Sequence, residues 1–154
     1  MANKSMDAQY WAMDALLRAA LKRDEGVRLK PYRDGVGKLS IGTGRNLEDV
    51  GISEAENDYL LTNDIKRIAA QLNACCPWWR ALDVVRQRVL VNMAFNLGIG
   101  HLLTFHDALH AMQTHQYAQA ATAMLDSRWA RQVGQRAQRL ARHMREGMAV
   151  VKDK

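Results

Sequence analysis

Cysteine is nearly absent from this 154-residue chain, and the two that occur, Cys75 and Cys76, are adjacent. Neighbouring cysteines do not close a relaxed disulfide, and no second pair exists, so a disulfide framework is excluded. Two thiols also fall short of the four ligands of a structural zinc site. They read as plain thiols at a helix end before Pro77. Long apolar runs are missing as well: no uninterrupted window of about 18 apolar residues exists, which argues against a membrane span. Residues 1–22 are broken up by Lys4, Asp7, Asp14 and Arg18 and lack the basic, apolar, small-residue order of a secretion signal. The expectation is a protein that stays in the cytoplasm of the cell that makes it until another factor lets it out. No repeat period and no low-complexity tract occurs.

Several signatures are approached and missed. Gly35-Val36-Gly37-Lys38 fails the Walker spacing, and no third glycine follows Gly42 and Gly44 at the dinucleotide interval. His106 and His110 stand four apart, a spacing that suits metal, but Asp107 occupies the place where a metalloprotease carries glutamate, and no third ligand is evident. They read as solvated or packing histidines, and neither cofactor nor metal is expected. Acid is missing from the whole stretch 128–145, which carries Arg128, Arg131, Arg136, Arg139, Arg142 and Arg145. With a net charge of +6, the surface favours anionic partners. Trp129 is the one aromatic of that stretch, too few for a base-stacking platform, so no dedicated nucleic-acid site is expected. Contact of the basic C-terminal helix, with its stripe of Leu140, Met144 and Met148, with an anionic envelope is compatible with the pattern.

What is present is an ordinary globular balance, 48% hydrophobic and 25% charged, suited to one compact unit or two small lobes. Trp11, Ala15 and Ala19, with Met13, Leu16 or Leu17, and Ala20, recur at helical spacing and predict a helix over 6–24, ended by Gly26. Residues 27–47 become glycine-rich, with alternations such as Leu39-Ser40-Ile41. They predict a small antiparallel sheet with tight turns at Asp34-Gly35 and Gly37. Ser53-Glu54-Ala55-Glu56 is a capping box. The helix it opens puts Leu61, Ile65, Ile68 and Leu72 on one face and stops before Cys75-Cys76-Pro77. The strongest core helix covers 81–97, with Leu82, Val85, Val89, Leu90, Met93, Ala94 and Leu97, and stops at Gly98-Ile99-Gly100. Shorter helices follow over 104–112, with Thr104 as cap, and over 117–125. A turn precedes Arg128 and Trp129, and an amphipathic helix closes the chain over 134–150. The predicted class is α+β, mainly α. It is a single domain, 1–154, with a small hairpin lobe at about 25–60, a larger helical lobe from 1–24 and 75–154, and a connecting helix over 53–74.

The chemistry concentrates in the hairpin segment. Glu25 falls at a predicted helix end, where the dipole does not favour a carboxylate, yet alone it reads equally as a solvated acid. Asp34 before Gly35 alone reads as a turn former, and Ser40 alone as a polar strand residue. Together they are two carboxylates in different surroundings with a hydroxyl nearby, the equipment for acid–base cleavage of a glycosidic bond. The series Asp24-Glu25-Gly26, Leu29-Lys30-x-Tyr32-x-Asp34, Gly37, and Ser40-Ile41-Gly42-x-Gly44 resembles the T-even-phage type of lysozyme, glycoside hydrolase family 24. Two later blocks resemble the same family: Asp83-x-Val85-Arg86-Gln87-Arg88 leading into Asn92-Met93-x-Phe95-Asn96-x-Gly98, and Ser127-Arg128-Trp129 followed by Gln132 and Arg136-Ala137-x-Arg139.

The resemblance implies a lysozyme-like fold and hydrolysis of the β-1,4 bond between N-acetylmuramic acid and N-acetylglucosamine in bacterial peptidoglycan. It implies Glu25 as general acid, Asp34 as the carboxylate that orients water and stabilises positive charge on the sugar, and Ser40 as a hydroxyl that helps place the water. It implies Arg136 as the arginine that pairs with the catalytic glutamate, and Phe95 as a substrate-lining residue. It also implies a monomeric phage endolysin that waits in the cytoplasm until a pore-forming partner opens the membrane. Two positions depart from the pattern: Ser40 stands where threonine is common, and Arg45 where histidine follows the Gly-x-Gly. A lytic transglycosylase and a non-catalytic basic module for wall or nucleic acid are the competing classes.

Overall fold

The computed structural model describes residues 4–152, with side chains from 12 to 151. It divides into two units, Met1–Asn57 and Asp58–Lys154, and is mainly helical with one small antiparallel sheet, the class expected.

The first unit opens with α1, Lys4–Glu25. Trp11, the first residue of the expected apolar stripe, lies outside the described side chains. Gly26 follows at φ 75°, a conformation that a Cβ penalises, and the chain leaves the helix there. Strands β1 (Arg28–Arg33), β2 (Leu39–Gly42) and β3 (Arg45–Asn46) pair antiparallel in the order β1-β2-β3. Tyr32 faces Ser40 on one side of β2 and Asn46 faces it on the other, so Ser40 holds the middle of the sheet. The β1–β2 register shifts between Arg28 and Tyr32, around Pro31, which cannot donate to a ladder. The turn after β3 is pinned by Asn46, whose Oδ1 accepts the N–H groups of Glu48 and Asp49, both at 2.9 Å.

Ser40 is the single buried residue among the described side chains of this unit. Hydrogen bonds and ion pairs, rather than apolar burial, define its shape. Arg33 meets Glu48 at 3.2 Å and Lys38 meets Asp49 at 3.0 Å.

Helix α2, Glu54–Cys75, crosses the division between the units. Its capping box forms as read: Ser53 Oγ accepts the Glu56 N–H at 3.2 Å and Glu56 Oε2 accepts the Ser53 N–H at 2.7 Å. Only Ile68 and Leu72 of its expected stripe are buried; Leu61 and Ile65 are exposed and line a groove described below. Cys75 is exposed and Cys76 buried, both as free thiols, and burial pushes the Cys76 thiol up.

In the second unit, a 3-10 turn at Pro77–Ala81 takes the start of the expected core helix, and α3 runs Val84–Leu97. Asp83 decides that start, because its carboxylate accepts from the N–H groups of Val85 and Arg86 at 3.0 and 3.2 Å. Gly98 ends α3, but α4 (Ile99–Leu102) begins at once from the same residue. Helix α5 spans His106–Gln113, and Thr104 does not cap it: its hydroxyl donates back to His101 O at 2.7 Å. Helix α6, Tyr117–Leu125, has the expected bounds. The expected turn before Arg128 forms as a bend at 126–127, and a further helix, α7 (Arg128–Val133), starts directly after it because Ser127 Oγ accepts the Ala130 N–H at 3.1 Å. Helix α8, Gln135–Glu146, stops at Gly147, and α9 (Ala149–Lys152) follows, so the expected helix over 134–150 is interrupted.

The core lies here. Val89, Leu90 and Met93 of α3 are fully buried with Leu72, Leu102, Met112, Met124 and Met144, and α8 packs against α6, α3 and α7. Arg86 closes one end of it. Its Nε donates to Met144 O at 2.7 Å, Nη2 to Arg145 O at 2.9 Å and Nη1 to Asp83 Oδ2 at 2.6 Å, while its plane lies 3.5 Å over the Tyr117 ring. The guanidinium thus satisfies carbonyls that the last turn of α8 leaves open. It fills the place a Cβ on Gly147 would take.

Candidate active site

Glu25, Asp34 and Ser40 all belong to the Met1–Asn57 unit. Glu25 is the last residue of α1 and is exposed. Because the helix stops there, its carboxylate meets the β2–β3 turn: Oε2 lies 3.5 Å from the point where a Cβ on Gly44 would stand. That turn starts three residues after Ser40, which joins the helix-end acid to the strand carrying the hydroxyl.

Asp34 opens the β1–β2 turn. Its Oδ1 accepts two backbone N–H groups, from Val36 at 3.0 Å and Lys38 at 2.8 Å. The turn-forming role and a chemical one are compatible, because Oδ2 has no partner among the described residues. Two donors on Oδ1 fix the plane of the carboxylate and leave the second oxygen for an incoming group. Ser40 is 2% exposed, and its hydroxyl has no hydrogen-bond partner among the described residues.

Arg45, which departs from the family pattern, finds an acid. Its Nη1 and Nη2 donate to Glu56 Oε2 and Oε1 at 2.9 and 2.7 Å, and Nη1 also donates to Gly51 O at 3.1 Å. The Arg45 hydrogen bond, followed by the Ser53 N–H, lowers the Glu56 carboxyl from 4.5 to about 2. Glu56 therefore serves the sheet and the capping box at once. Sequence reasoning found Glu56 as a cap and left Arg45 unpaired; the bidentate geometry that joins them depends on the loop between β3 and α2.

Phe95 and Arg136 belong to the second unit, where they line one groove of about 470 Å³ with Leu61, Ile65, Trp79, Val91 and Asn92. Phe95 is 45% exposed although it sits on the core helix. Arg136 donates to Asn92 Oδ1 from Nε at 3.0 Å and from Nη2 at 2.7 Å. Sequence reasoning did not find this partner, since the two residues are 44 positions apart. A second groove, about 1060 Å³, includes His101, His106, Asp107, Asp126 and Gln132, with Phe105 and Trp129 edge to face at 6.1 Å between ring centres. Trp129 is held there by its Nε1 donating to Asn96 Oδ1 at 2.7 Å. No helix of the described residues is long and apolar enough to cross a membrane.

The model of a protein family described as phage lysozyme matches residues 22–146, a span that includes all five expected site residues. A probable T4-type lysozyme from Dictyostelium discoideum is 26% identical over 83% of this chain and 92% of its own length. The pre-baseplate central spike protein Gp5 of Enterobacteria phage T4 is 30% identical over 78% of this chain, which spans only 26% of that protein. A SAR-endolysin of Bacteriophage PS119 is 33% identical over 52% of this chain and 49% of its own length.

Proposed function

Because the chain belongs to the phage lysozyme family, we propose that this lysozyme-type hydrolase of bacterial peptidoglycan cuts the β-1,4 bond between N-acetylmuramic acid and N-acetylglucosamine and serves as a phage endolysin in host-cell lysis. The observation that carries the reading is the Glu25 carboxylate, exposed at the end of α1 and against the turn that follows Ser40. Glu25 is the general acid: it gives its proton to the glycosidic oxygen as the bond to the sugar carbon breaks through a cation-like transition state. Asp34, fixed through Oδ1, presents Oδ2 to the attacking water and to the positive charge on the ring. Ser40, a buried residue of β2, contributes the hydroxyl that holds this water. Phe95 and Arg136 bind substrate along the groove that they line in the second unit.

Water attacks directly in this scheme, with inversion at the sugar carbon. A separation of the two carboxylates of roughly 6.5–9.5 Å in the substrate-bound enzyme would agree, whereas about 5 Å belongs to the covalent route. Lysis of outer-membrane-permeabilised bacteria, followed by turbidity, tests the assignment. Glu25→Gln is expected to lose roughly a thousandfold or more while keeping its fold, and Asp34→Asn somewhat less. Ser40→Ala is expected to lose under about tenfold, the scale of one hydrogen bond to water. Products with reducing ends support hydrolysis, and anhydro ends in their place assign a transglycosylase. Full activity of Glu25→Gln ends the role of that residue.

A further inference from the structure

The end of β2 and the turn after it carry two glycines at nearly the same backbone conformation, Gly42 at φ 69° and Gly44 at φ 72°. Both positions are strained for a residue with a side chain. Their surroundings differ. A Cβ on Gly42 would meet nothing within 4 Å, whereas one on Gly44 would touch the Glu25 side chain, at 3.5 Å from Oε2 and 3.9 Å from Cγ and Cδ. Turn geometry accounts for glycine at both places, but only at 44 does the missing side chain also leave the flank of a carboxylate bare.

We propose that Gly44 is a positioning residue for the reaction: by carrying no side chain it keeps the Oε2 flank of Glu25 open to the sugar oxygen that takes the proton. The inference rests on the reading of Glu25 as proton donor. A methyl at 3.5 Å is in ordinary van der Waals contact, so alanine at 44 does not clash with Glu25 but covers the oxygen on one side. A carboxylate that must bring its proton within hydrogen-bond reach of a leaving oxygen loses rate when it is turned or shielded by even a fraction of an ångström. Substrate binding by the rest of the protein is not touched by that methyl, so the loss falls on kcat and not on KM.

The pair supplies its own control. Gly44→Ala and Gly42→Ala carry the same backbone strain, and both are expected to lower thermal stability to a similar extent. On purified peptidoglycan, per folded molecule, Gly44→Ala is expected to lose roughly ten- to a hundredfold in kcat with KM within about twofold, and Gly42→Ala to keep kcat within about twofold. Equal kcat losses in the two variants, or a Gly44→Ala loss confined to KM, would overturn the proposal. Should alanine prevent folding at either place, Gly44→Asn and Gly42→Asn repeat the comparison, since asparagine tolerates this backbone region best among residues with a Cβ. Glu25→Gln measured alongside separates the two readings. An inactive Glu25→Gln with matched glycine variants sinks only the role of Gly44, while an active Glu25→Gln sinks both.

Discussion

The two units are built on opposite principles. From Asp58 onward, the chain buries a continuous set of Leu, Val, Met, Ala and Trp side chains, and its polar contacts serve to close helix ends. In Met1–Asn57 the one buried described residue is a serine, and the shape comes from Asp34, Asn46, Arg45 and Glu56 bonding to turn backbone and to each other. Apolar burial of about 25 cal/mol per Å² gives stability without direction. Hydrogen-bonded turns give direction with little net stability. A hydrolase needs its carboxylates aimed and wet, and Glu25, Asp34 and Ser40 all belong to the unit that is aimed. On the proposed assignment, the division gives stability to one stretch of sequence and the acid–base groups to another.

That contrast predicts unequal responses to mutation. The largest stability effect is expected from Leu90→Ala, which empties a fully buried site in α3 and should cost about 2–5 kcal/mol by chemical denaturation. Arg86→Ala comes next. The substitution leaves Met144 O and Arg145 O without their donor and Asp83 Oδ2 without its cation, and it uncovers the Tyr117 ring. With the Arg86 side chain only 14% exposed, a loss of about 1.5–3 kcal/mol is expected, with the last turn of α8 losing amide protection first. A Leu90→Ala loss no larger than that of a hairpin substitution would break the comparison.

How far the sequence disclosed this follows the same division. Where no local side-chain bond competes with the apolar period, the reading is close: α6 has the expected bounds, and the α2 capping box forms as read. Where a local side-chain bond competes with the period, the reading slips. Asp83 moves the start of α3, Ser127 starts a helix after the expected turn where the reading had none, and Thr104 turns back to His101 instead of capping α5. Gly98 read as a stop, but it also starts α4, which no periodicity in four residues reveals. At the candidate site, the motif placed Glu25, Asp34 and Ser40 on a helix end, a turn and a strand, as observed. It did not show the partners of Arg45 and Arg136, which are matters of loop path and of residues distant in sequence.

The smallest effect, and the one that sharpens the contrast most, is the response of the hairpin to acid. Among the described residues, Glu56 has its carboxyl lowered, to about 2 from 4.5, first by the Arg45 hydrogen bond and then by the Ser53 N–H. A carboxyl lowered by folding contributes stability above its unfolded value and loses it as pH falls through the folded one. The support from Glu56 is therefore complete above about 4.5 and fades between there and about 2. Both partners are near 40% exposed, so solvent screens the pair and the effect stays local. Amide protection factors, which already correct for the intrinsic pH dependence of exchange, are the measurement. In the native chain, protection of the β2–β3 amides should fall across that window by more than that of the mid-α3 amides. Arg45→Gln removes the first cause of the shift. Its hairpin should be less protected already at pH 6 and should change less on acidification. If Arg45→Gln responds to acid as the native chain does, the ion pair is not what holds the turn that carries Gly44 against Glu25.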